Sequence, residues 1–258
     1  DSLKDLKTNS FDKYKEFWDE YGLVLKEGPA EDHENKETIA SLMLFASTFL
    51  NNNSVNQGLD DYVSRMKDDQ DKIYFCVADT YEAAVNSPHI EGLKSKGIEV
   101  ILLTDRIDEW LMAGLMEYQG KELVNAAKED IEKEDTSKKV SEADQDVIKK
   151  IKKHLNEKVS DVVISSRLTD SASCIVLPKH EPGAQLRKIL EASGQSLGSS
   201  NPIFEINIKH KLVKKLKDMK GKQFNAYVDF LYDYAVIAEG GSPQDPSRYL
   251  RQLDKYLS

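Results

Sequence analysis

The sequence predicts an α/β fold: a small three-layer domain that contains a βαβ unit, then a mixed domain of α+β character that ends in a helical hairpin. Ile98–Leu103 is an almost continuous apolar run, which is typical of a strand buried on both faces of a parallel sheet. Ile73–Val77 is an earlier run of β-branched and aromatic residues, and helix signals lie between the two. Two apolar helical stripes, Phe224–Ala238 and Tyr249–Leu257, close the chain and predict the hairpin.

Three helices are predicted ahead of the first strand. Aromatic side chains at helical spacing place the first over Ser10–Gly22, and we expect Gly22, Gly28 and Pro29 to end it. Apolar stripes predict the other two helices at Glu37–Ser47 and Leu59–Lys67.

The segment between the two strands is predicted to be a helical crossover. Asp79 is expected to cap a helix, and Glu82 is placed to close a capping box. Ser87 followed by Pro88 suits a second helical start, because a proline in the first turn lacks an amide that would otherwise go unpaired. Strand, crossover and strand together predict a parallel βαβ unit.

The helix after the second strand carries the main candidates for acid chemistry. We expect Thr104 or Asp105 to cap this helix, which then brings Asp108 and Glu109 beside Trp110. These acids could act as an acid–base pair. Carboxylates in a first helical turn more often complement the helix dipole, so the sequence favours a structural role for them.

The composition changes after about residue 125, where acids and lysines surround scattered apolar residues. We therefore predict domains at residues 1–128 and 147–258, joined by a charged linker at 129–146. The alternating pattern of Ile203–Ile208 is typical of a half-exposed strand. The other elements predicted before the hairpin are a helix at Val147–Leu155, strands at Val159–Ser165 and Ser173–Leu177, and a short helix that carries Leu186, Ile189 and Leu190.

Charge and cysteine content limit the classes of function. A net charge of -9 argues against a general binder of nucleic acid or of anionic membranes. Cys76 and Cys174 lie inside apolar, strand-like runs, which favours buried free thiols and a reducing, cytoplasmic location. No apolar stretch approaches the roughly 20 residues that span a bilayer, and no signal peptide opens the sequence.

Motifs for common cofactor and catalytic chemistry are absent from the sequence. It contains no Walker-type or Rossmann-type glycine loop to hold a phosphate and no nucleophile elbow. The five histidines are scattered, and none lies at the spacing of a metal site. We therefore predict no catalytic residue, no metal site and no bound cofactor in this chain.

The closing hairpin carries more apolar surface than an isolated pair of helices can keep in water. Packing against its own domain is one way to cover that surface. Self-association into a four-helix bundle is the other, and the residue pattern alone leaves both open.

Several sequence blocks resemble the heat-shock protein 90 family, particularly its bacterial members. Together they follow the family order along nearly the whole chain. The blocks are FWDEYGLVLKEG at Phe17–Gly28, LDDYVSRMK at Leu59–Lys67, SPH at Ser87–His89, KGIEVILLTDRIDEW at Lys96–Trp110, and the looser RLTDSAS at Arg167–Ser173.

The resemblance implies that the chain is the end of the middle domain plus the C-terminal dimerisation domain of an ATP-dependent, stress-response chaperone. The sequence starts at Asp1 rather than at a methionine, which also suggests a piece of a longer protein. ATP and Mg²⁺ would then bind in a missing N-terminal domain, and this part alone would not be an enzyme. Because no MEEVD tail follows the hairpin, the resemblance implies no tetratricopeptide co-chaperone.

The resemblance also implies two protein-binding surfaces. Contacts with unfolded client proteins are expected at Glu109 and Trp110, and at the short helix with Leu186, Ile189 and Leu190. A homodimer is expected through the hairpin, whose candidate interface residues are Phe224, Tyr227, Val228, Leu231, Ala235, Tyr249, Leu250, Leu253, Tyr256 and Leu257.

Three functions compete at this point. The leading hypothesis is a dimeric chaperone part that presents a client surface. The second is a purely architectural dimerisation and linker module with client contacts elsewhere. The third, a small α/β enzyme, would require a pocket with convergent acids, and the sequence gives little support for it.

Overall fold

The computed structural model describes residues 2–50, 52–128, 141–178, 181 and 201–257, with the side chain of residue 257 left out. These residues form two compact units. Unit 1 contains residues 2–85 and 96–125, and unit 2 contains residues 86–95, 126–128, 141–178, 181 and 201–257. Each unit has its own hydrophobic core.

Helices and strands alternate along much of the described chain. The helices are α1 (Ser2–Asn9), α2 (Phe11–Glu31), α3 (Lys36–Leu42), α4 (Leu59–Arg65), α5 (Tyr81–Val85), α6 (Glu91–Ser95), α7 (Asp108–Gly114), α8 (Glu142–His154), α9 (Lys211–Lys214), α10 (Gly221–Ala238) and α11 (Pro246–Leu257). The strands are β1 (Ala46–Ser47), β2 (Lys72–Val77), β3 (Val100–Leu103), β4 (Glu117–Tyr118), β5 (Lys121–Asn125), β6 (Asp161–Ile164), β7 (Ser173–Val176) and β8 (Ile203–Ile206). Short 3-10 helices occupy Pro88–Ile90 and Lys215–Asp218.

A mixed sheet of order β1-β3-β2-β5-β4 forms the centre of unit 1. Strands β2 and β3 are parallel neighbours, with Tyr74 opposite Val100 and Val77 opposite Leu103. The predicted parallel βαβ unit and the α/β fold class are therefore confirmed. Strand β3 is buried along its whole length, as its continuous apolar run indicates.

Three strands of this sheet were not anticipated. Strand β5 pairs in parallel with β2, and the short β4 pairs with β5 in antiparallel fashion. Strand β1 pairs antiparallel with β3, so the helix predicted over Glu37–Ser47 is wrong beyond Leu42. Strands β1 and β4 have only two residues each, and β5 (KELVN) starts with two charged residues, so none of the three shows a clear strand pattern in the sequence.

Helix α2 is longer than predicted, because the expected stop signals lie inside it. It continues through Gly22 and Gly28 and ends two residues after Pro29. A Cβ at Gly22 would lie 2.7 Å from the Trp18 ring, so this glycine makes room for an indole rather than ending the helix. Pro29 lies in the last turn of the helix, where the absence of its amide affects only one hydrogen bond.

Unit 2 is built on a sheet of order β6-β8-β7, in which β8 pairs in parallel with β6 and antiparallel with β7. The expectation that β8 is half-exposed is wrong: Phe204, Glu205 and Ile206 are all buried, and because successive side chains point to opposite faces, both faces of the strand are covered. Its Glu205 is buried and forms an ion pair with Arg167, with 3.1 Å between the Arg167 Nε and a carboxylate oxygen of Glu205. Helix α8 begins at Glu142, with the Ser141 hydroxyl accepting from the Asp144 N–H, so it includes the end of the predicted linker.

Some predicted features lie outside the described residues. These are positions 129–140 of the linker and the short helix with Leu186, Ile189 and Leu190. Both cysteines are described, and both are free and buried, as the sequence indicates. In the part of the chain that the structure describes, no helix is both long and apolar enough to cross a membrane.

Candidate functional site

Trp110 is the more exposed of the two described residues of the predicted client surface. It lies in α7 with 51% of its surface accessible, although tryptophan is among the most buried residue types on average. Glu109, beside it, is half-buried. So large an exposed apolar side chain becomes evidence for an interaction surface when further exposed apolar residues lie near it.

A buried ionic cluster fixes the start of α7. The Lys26 ammonium lies 2.7 Å from a carboxylate oxygen of Asp108 and 2.6 Å from one of Asp105. Asp108 is fully buried and Lys26 nearly so, whereas Asp105 is half-buried. The second oxygen of Asp108 accepts a hydrogen bond from the backbone N–H of Asp105 at 2.9 Å. The cluster thus ties α7 to α2 at the turn that precedes Trp110.

The electrostatics of Asp108 are set by two opposing effects. Burial raises the pKa of Asp108, and the nearby Lys26 ammonium opposes that shift. Two charges buried side by side depend on each other, because either one left alone would be a desolvated, unpaired ion. Asp108 therefore makes a structural contact, the ion pair that anchors the start of α7.

The other end of α7 is held by close backbone packing. A Cβ at Gly114 would lie 3.0 Å from the Cα of Ala30 in α2. Helices α2 and α7 therefore meet at two points, the ionic cluster and this glycine contact. Trp110 lies between them in sequence, on a helix anchored at both ends.

Unit 1 exposes further large apolar side chains on the same two elements. Tyr21, Leu23 and Val24 of α2 are each more than half exposed, as is Met116, just after α7. Single exposed apolar residues need no explanation, but several on two packed elements form a surface that a partner can cover.

The sequence-based assignment of the α7 cap is wrong. Neither Thr104 nor Asp105 caps the helix; its N-cap is Ile107, and Asp108 is its first residue. Sequence reasoning also missed Lys26 as the partner of Asp108. A signal was present, since Lys26 continues the four-residue spacing of the buried residues Trp18 and Gly22.

The helical hairpin of unit 2 contains the candidate dimer residues, and their exposure differs sharply between the two helices. Those of α10 are all buried within the single chain: Phe224, Tyr227, Val228, Leu231 and Ala235. This packing corresponds to the alternative in which a helix covers its apolar face with its own domain. Any contact that these residues make with a second copy would be indirect.

Helix α11 packs on α10 through aromatic rings and keeps one face outward. Tyr256 lies edge-on to Tyr227 at 4.7 Å between ring centroids, and Tyr249 stacks on Phe230 at 5.5 Å. Leu253 is half-buried, and 58% of Leu250 is accessible. Leu257 ends the helix.

Polar contacts also hold the two helices together. The Arg248 guanidinium donates to buried Asp233 at 3.1 Å, and the Gln252 amide donates to the Ala226 carbonyl at 2.9 Å. The outward face near the hairpin tip includes Ile237, which is 41% accessible. Ile237 was not among the residues predicted for an interface.

Within the described ranges, no group of three or more histidine, cysteine or acidic side chains is placed to hold a metal ion. A cavity of about 570 Å³ in unit 1 is lined mainly by polar residues of α1, α3 and α4. Its Lys7 is tied to the Ser41 carbonyl at 2.5 Å. The two acids in its wall, Asp60 and Asp61, lie on the exposed side of α4.

Comparison with known proteins identifies the family. A family model described as Hsp90 protein matches residues 1–258. Chaperone protein HtpG of Legionella pneumophila (strain Lens) is 44% identical, covering 99% of this chain and 42% of that protein. Chaperone protein HtpG of Colwellia psychrerythraea is 45% identical, covering 99% of this chain and 40% of that protein. Chaperone protein HtpG of Shewanella halifaxensis is 43% identical, covering 99% of this chain and 41% of that protein.

The match thus extends over essentially the whole chain, while the chain spans about 40% of the length of these relatives. The aligned region includes both units. The chain belongs to the Hsp90 family of chaperones.

Proposed function

We propose that this chain is the part of an ATP-dependent Hsp90 chaperone that pairs two protomers and contributes surface to bind unfolded client proteins. The observation that carries the client part is the half-exposed Trp110 on a helix anchored by the buried Lys26–Asp108 pair. A rigid helix can hold an apolar ring in solvent without letting it collapse onto the core.

The surface around Trp110 has the chemistry that an unfolded chain requires. Asp105 lies partly in solvent one turn before it, and Glu109 is its neighbour. Unfolded clients expose apolar side chains and basic groups together. An apolar ring edged by carboxylates binds both, weakly and reversibly. We propose that the helix with Leu186, Ile189 and Leu190 extends this client surface.

The proposed dimer uses the outward face of the hairpin. Ile237 and Leu250 are exposed, and Leu253, one helical turn after Leu250, is half-buried. Burying a large apolar side chain stabilises by about 1.5–3 kcal/mol. The parts of these side chains that are still exposed, once buried in both protomers, would offset part of an association cost of about 4–15 kcal/mol. The residues of α10 then support the interface from inside unit 2.

Nucleotide chemistry is assigned to the rest of the protein. We propose that ATP and Mg²⁺ bind outside this chain and that the chain itself is not an enzyme. The proposal rests on the absence from the sequence of a glycine-rich phosphate loop. A cytoplasmic location is proposed from the two free, buried thiols.

The client role is tested by asking whether the chain slows aggregation of a destabilised protein and whether Trp110→Arg abolishes this effect. We expect Trp110→Arg to weaken client binding at least fivefold while the melting temperature and the oligomeric state stay within error. Trp110→Phe is the matched control and should keep most of the binding, because it retains an apolar ring.

Two outcomes would contradict the proposal. Unchanged client binding by a stable Trp110→Arg protein would leave the chain as a purely architectural module. A large loss of stability would assign Trp110 to the core of unit 1, since only a packed tryptophan costs several kcal/mol when replaced by a charge.

A further inference from the structure

Charge is distributed unevenly in this chain. Although the net charge is -9, residues 209–222 contain seven lysines and a single acid, Asp218. Helix α8 adds a second basic segment, with Lys152, Lys153 and His154 in its last turn. Unit 2 therefore carries a strongly basic surface within an acidic chain.

The two basic segments meet at one cavity of about 460 Å³. Its lining includes Lys150 and Lys153 of α8 and Lys220, which precedes α10. Met219 and Phe224 contribute apolar surface to the same cavity. Phe224 is itself buried, so it closes the cavity rather than projecting from it.

Acidic side chains neutralise only part of this charge. Lys150 pairs with Asp146 at 2.6 Å, but both side chains are more than half exposed, and such pairs contribute little. His154 lies 3.1 Å from Asp229 and is thereby occupied. In the described ranges, Lys153 and Lys220 form no ion pair within the chain.

The start of α10 adds to the positive potential. Lys220 is its N-cap residue, and no side chain caps the first turn of the helix. That turn contains Lys222 and no acid, although a helix N-terminus favours negative charge. Cations collected at a positive helix end repel each other and the dipole. A bound anion would relieve that repulsion.

We propose that this cavity is a docking site for an acidic segment of a partner protein, in which an apolar side chain is flanked by aspartate or glutamate. The apolar side chain would lie against Met219 and Phe224, and the flanking carboxylates would pair with Lys153 and Lys220. This inference does not rest on the proposed function, because the surface around Trp110 is edged by acids and suits basic segments instead.

A protein segment fits the observations better than a nucleic acid does. Single-stranded nucleic acids bind through exposed aromatic rings on which bases stack, and the aromatic residue of this cavity is buried. A net charge of -9 also repels long polyanions from a distance, while a short acidic segment feels mainly the local lysines. The apolar surface of Met219 and Phe224 in this cavity is also suited to contact an apolar side chain rather than a phosphate backbone.

The test measures binding of a fluorescein-labelled peptide with glutamates on both sides of a central leucine, by fluorescence anisotropy with the full chain. We expect saturable binding that weakens as salt increases. The double variant Lys153→Glu with Lys220→Glu should weaken binding at least about tenfold, because each reversal replaces a short-range attraction by a repulsion. Replacing the central leucine by glycine should also weaken binding, since the apolar surface of the cavity would lose its contact.

The matched control is Lys209→Glu with Lys211→Glu, which makes the same change in net charge outside the cavity and should reduce affinity less than threefold. An equal loss of peptide affinity in both double variants would overturn the proposal, because it would show that the whole basic surface, rather than the cavity, attracts the peptide. The proposal would also be overturned if the peptide with glycine in place of leucine bound with the same affinity. Tighter binding of single-stranded DNA or of anionic vesicles at the same lysines would overturn it as well. If the Glu variants unfold, Lys153→Gln with Lys220→Gln provides the same comparison.

Discussion

Removing the ammonium of Lys26 should destabilise unit 1 through one buried carboxylate. In the variant Lys26→Met the side chain keeps nearly the same length, but Asp108 loses its counter-ion. Asp108 is fully buried and would keep one hydrogen bond, from the Asp105 N–H at 2.9 Å. Removing one partner of a buried ion pair typically costs about 3–5 kcal/mol.

Protonation of Asp108 limits this loss of stability. Protonating a carboxyl with an ordinary pKa of about 3.9 costs about 4 kcal/mol at pH 7, at about 1.4 kcal/mol per pH unit, and the variant cannot lose more stability than this through an unpaired charge. At pH 5 the cost of protonation, and with it this upper limit, falls to about 1.5 kcal/mol. Burial already raises the pKa of Asp108, and removing Lys26 should raise it further.

The sign of the pH dependence follows from proton uptake. A carboxyl whose pKa is raised in the folded state binds a proton on folding, so the stability of the variant increases as the pH falls toward the unfolded pKa. Because the parent protein bears part of the same burial cost, we expect the variant to be less stable than the parent by at most about 4 kcal/mol at pH 7 and by at most about 1.5 kcal/mol at pH 5.

The assay is urea unfolding followed by tryptophan fluorescence. The chain contains two tryptophans, Trp18 and Trp110, and both lie in unit 1, so the signal reports on that unit. Lys26→Met combined with Asp108→Asn should recover most of the loss, because the amide carries no charge. The reasoning would be refuted if Lys26→Met lowered the free energy of unfolding by less than about 1 kcal/mol at pH 7, or if its effect became larger as the pH falls.

Three further predictions concern the loop of unit 2, a close glycine contact and nucleotide binding. Glu91 is partly desolvated, but hydrogen bonds from Ser171 and from the backbone of residues 169–171 lower its pKa. The ionised Glu91 therefore stabilises the fold above its unfolded pKa, and this stabilisation is lost as the pH falls through its folded pKa. Glu91→Gln should accordingly make the melting temperature depend less on pH in the acid range. Gly92→Ala should destabilise unit 2 by about 1–3 kcal/mol in the same melts, because the new Cβ would lie 2.9 Å from the Arg167 carbonyl oxygen, which cannot move aside; an unchanged melt would contradict this packing. Calorimetry with Mg²⁺ and ATP should show no saturable binding, and micromolar affinity would overturn the assignment of nucleotide chemistry to the rest of the protein.

The parts of the fold that the sequence predicts are those with long, regular patterns. The apolar run that ends at Leu103 and the aromatic run of β2 identify a parallel pair, because only a doubly covered strand tolerates such continuity. The α10 stripe is equally clear. Its pattern, however, cannot tell a core within one chain from an interface between two, since both bury the same side chains.

The errors arise where a long-range contact overrides a local signal. Gly22 is a helix breaker by local preference, yet the Trp18 ring occupies the space above it and α2 continues. Asp105 is a good cap by residue type, but its carboxylate pairs with Lys26, from 79 positions earlier in the chain. Contacts of this kind depend on the packing of α2 against α7, which no short window of sequence contains.

The central claim is that this chain is the part of an Hsp90 chaperone that joins two protomers, and its mass in solution tests that claim most directly. Light scattering on a sizing column should give about twice the 29.2 kDa of the single chain. Leu250→Glu with Leu253→Glu should give the single-chain mass, because it places four charges in a symmetric apolar contact. The control Arg251→Glu, an exposed position on the same helix, should remain dimeric. A mass of 29.2 kDa for the unaltered chain at micromolar concentration would contradict the claim.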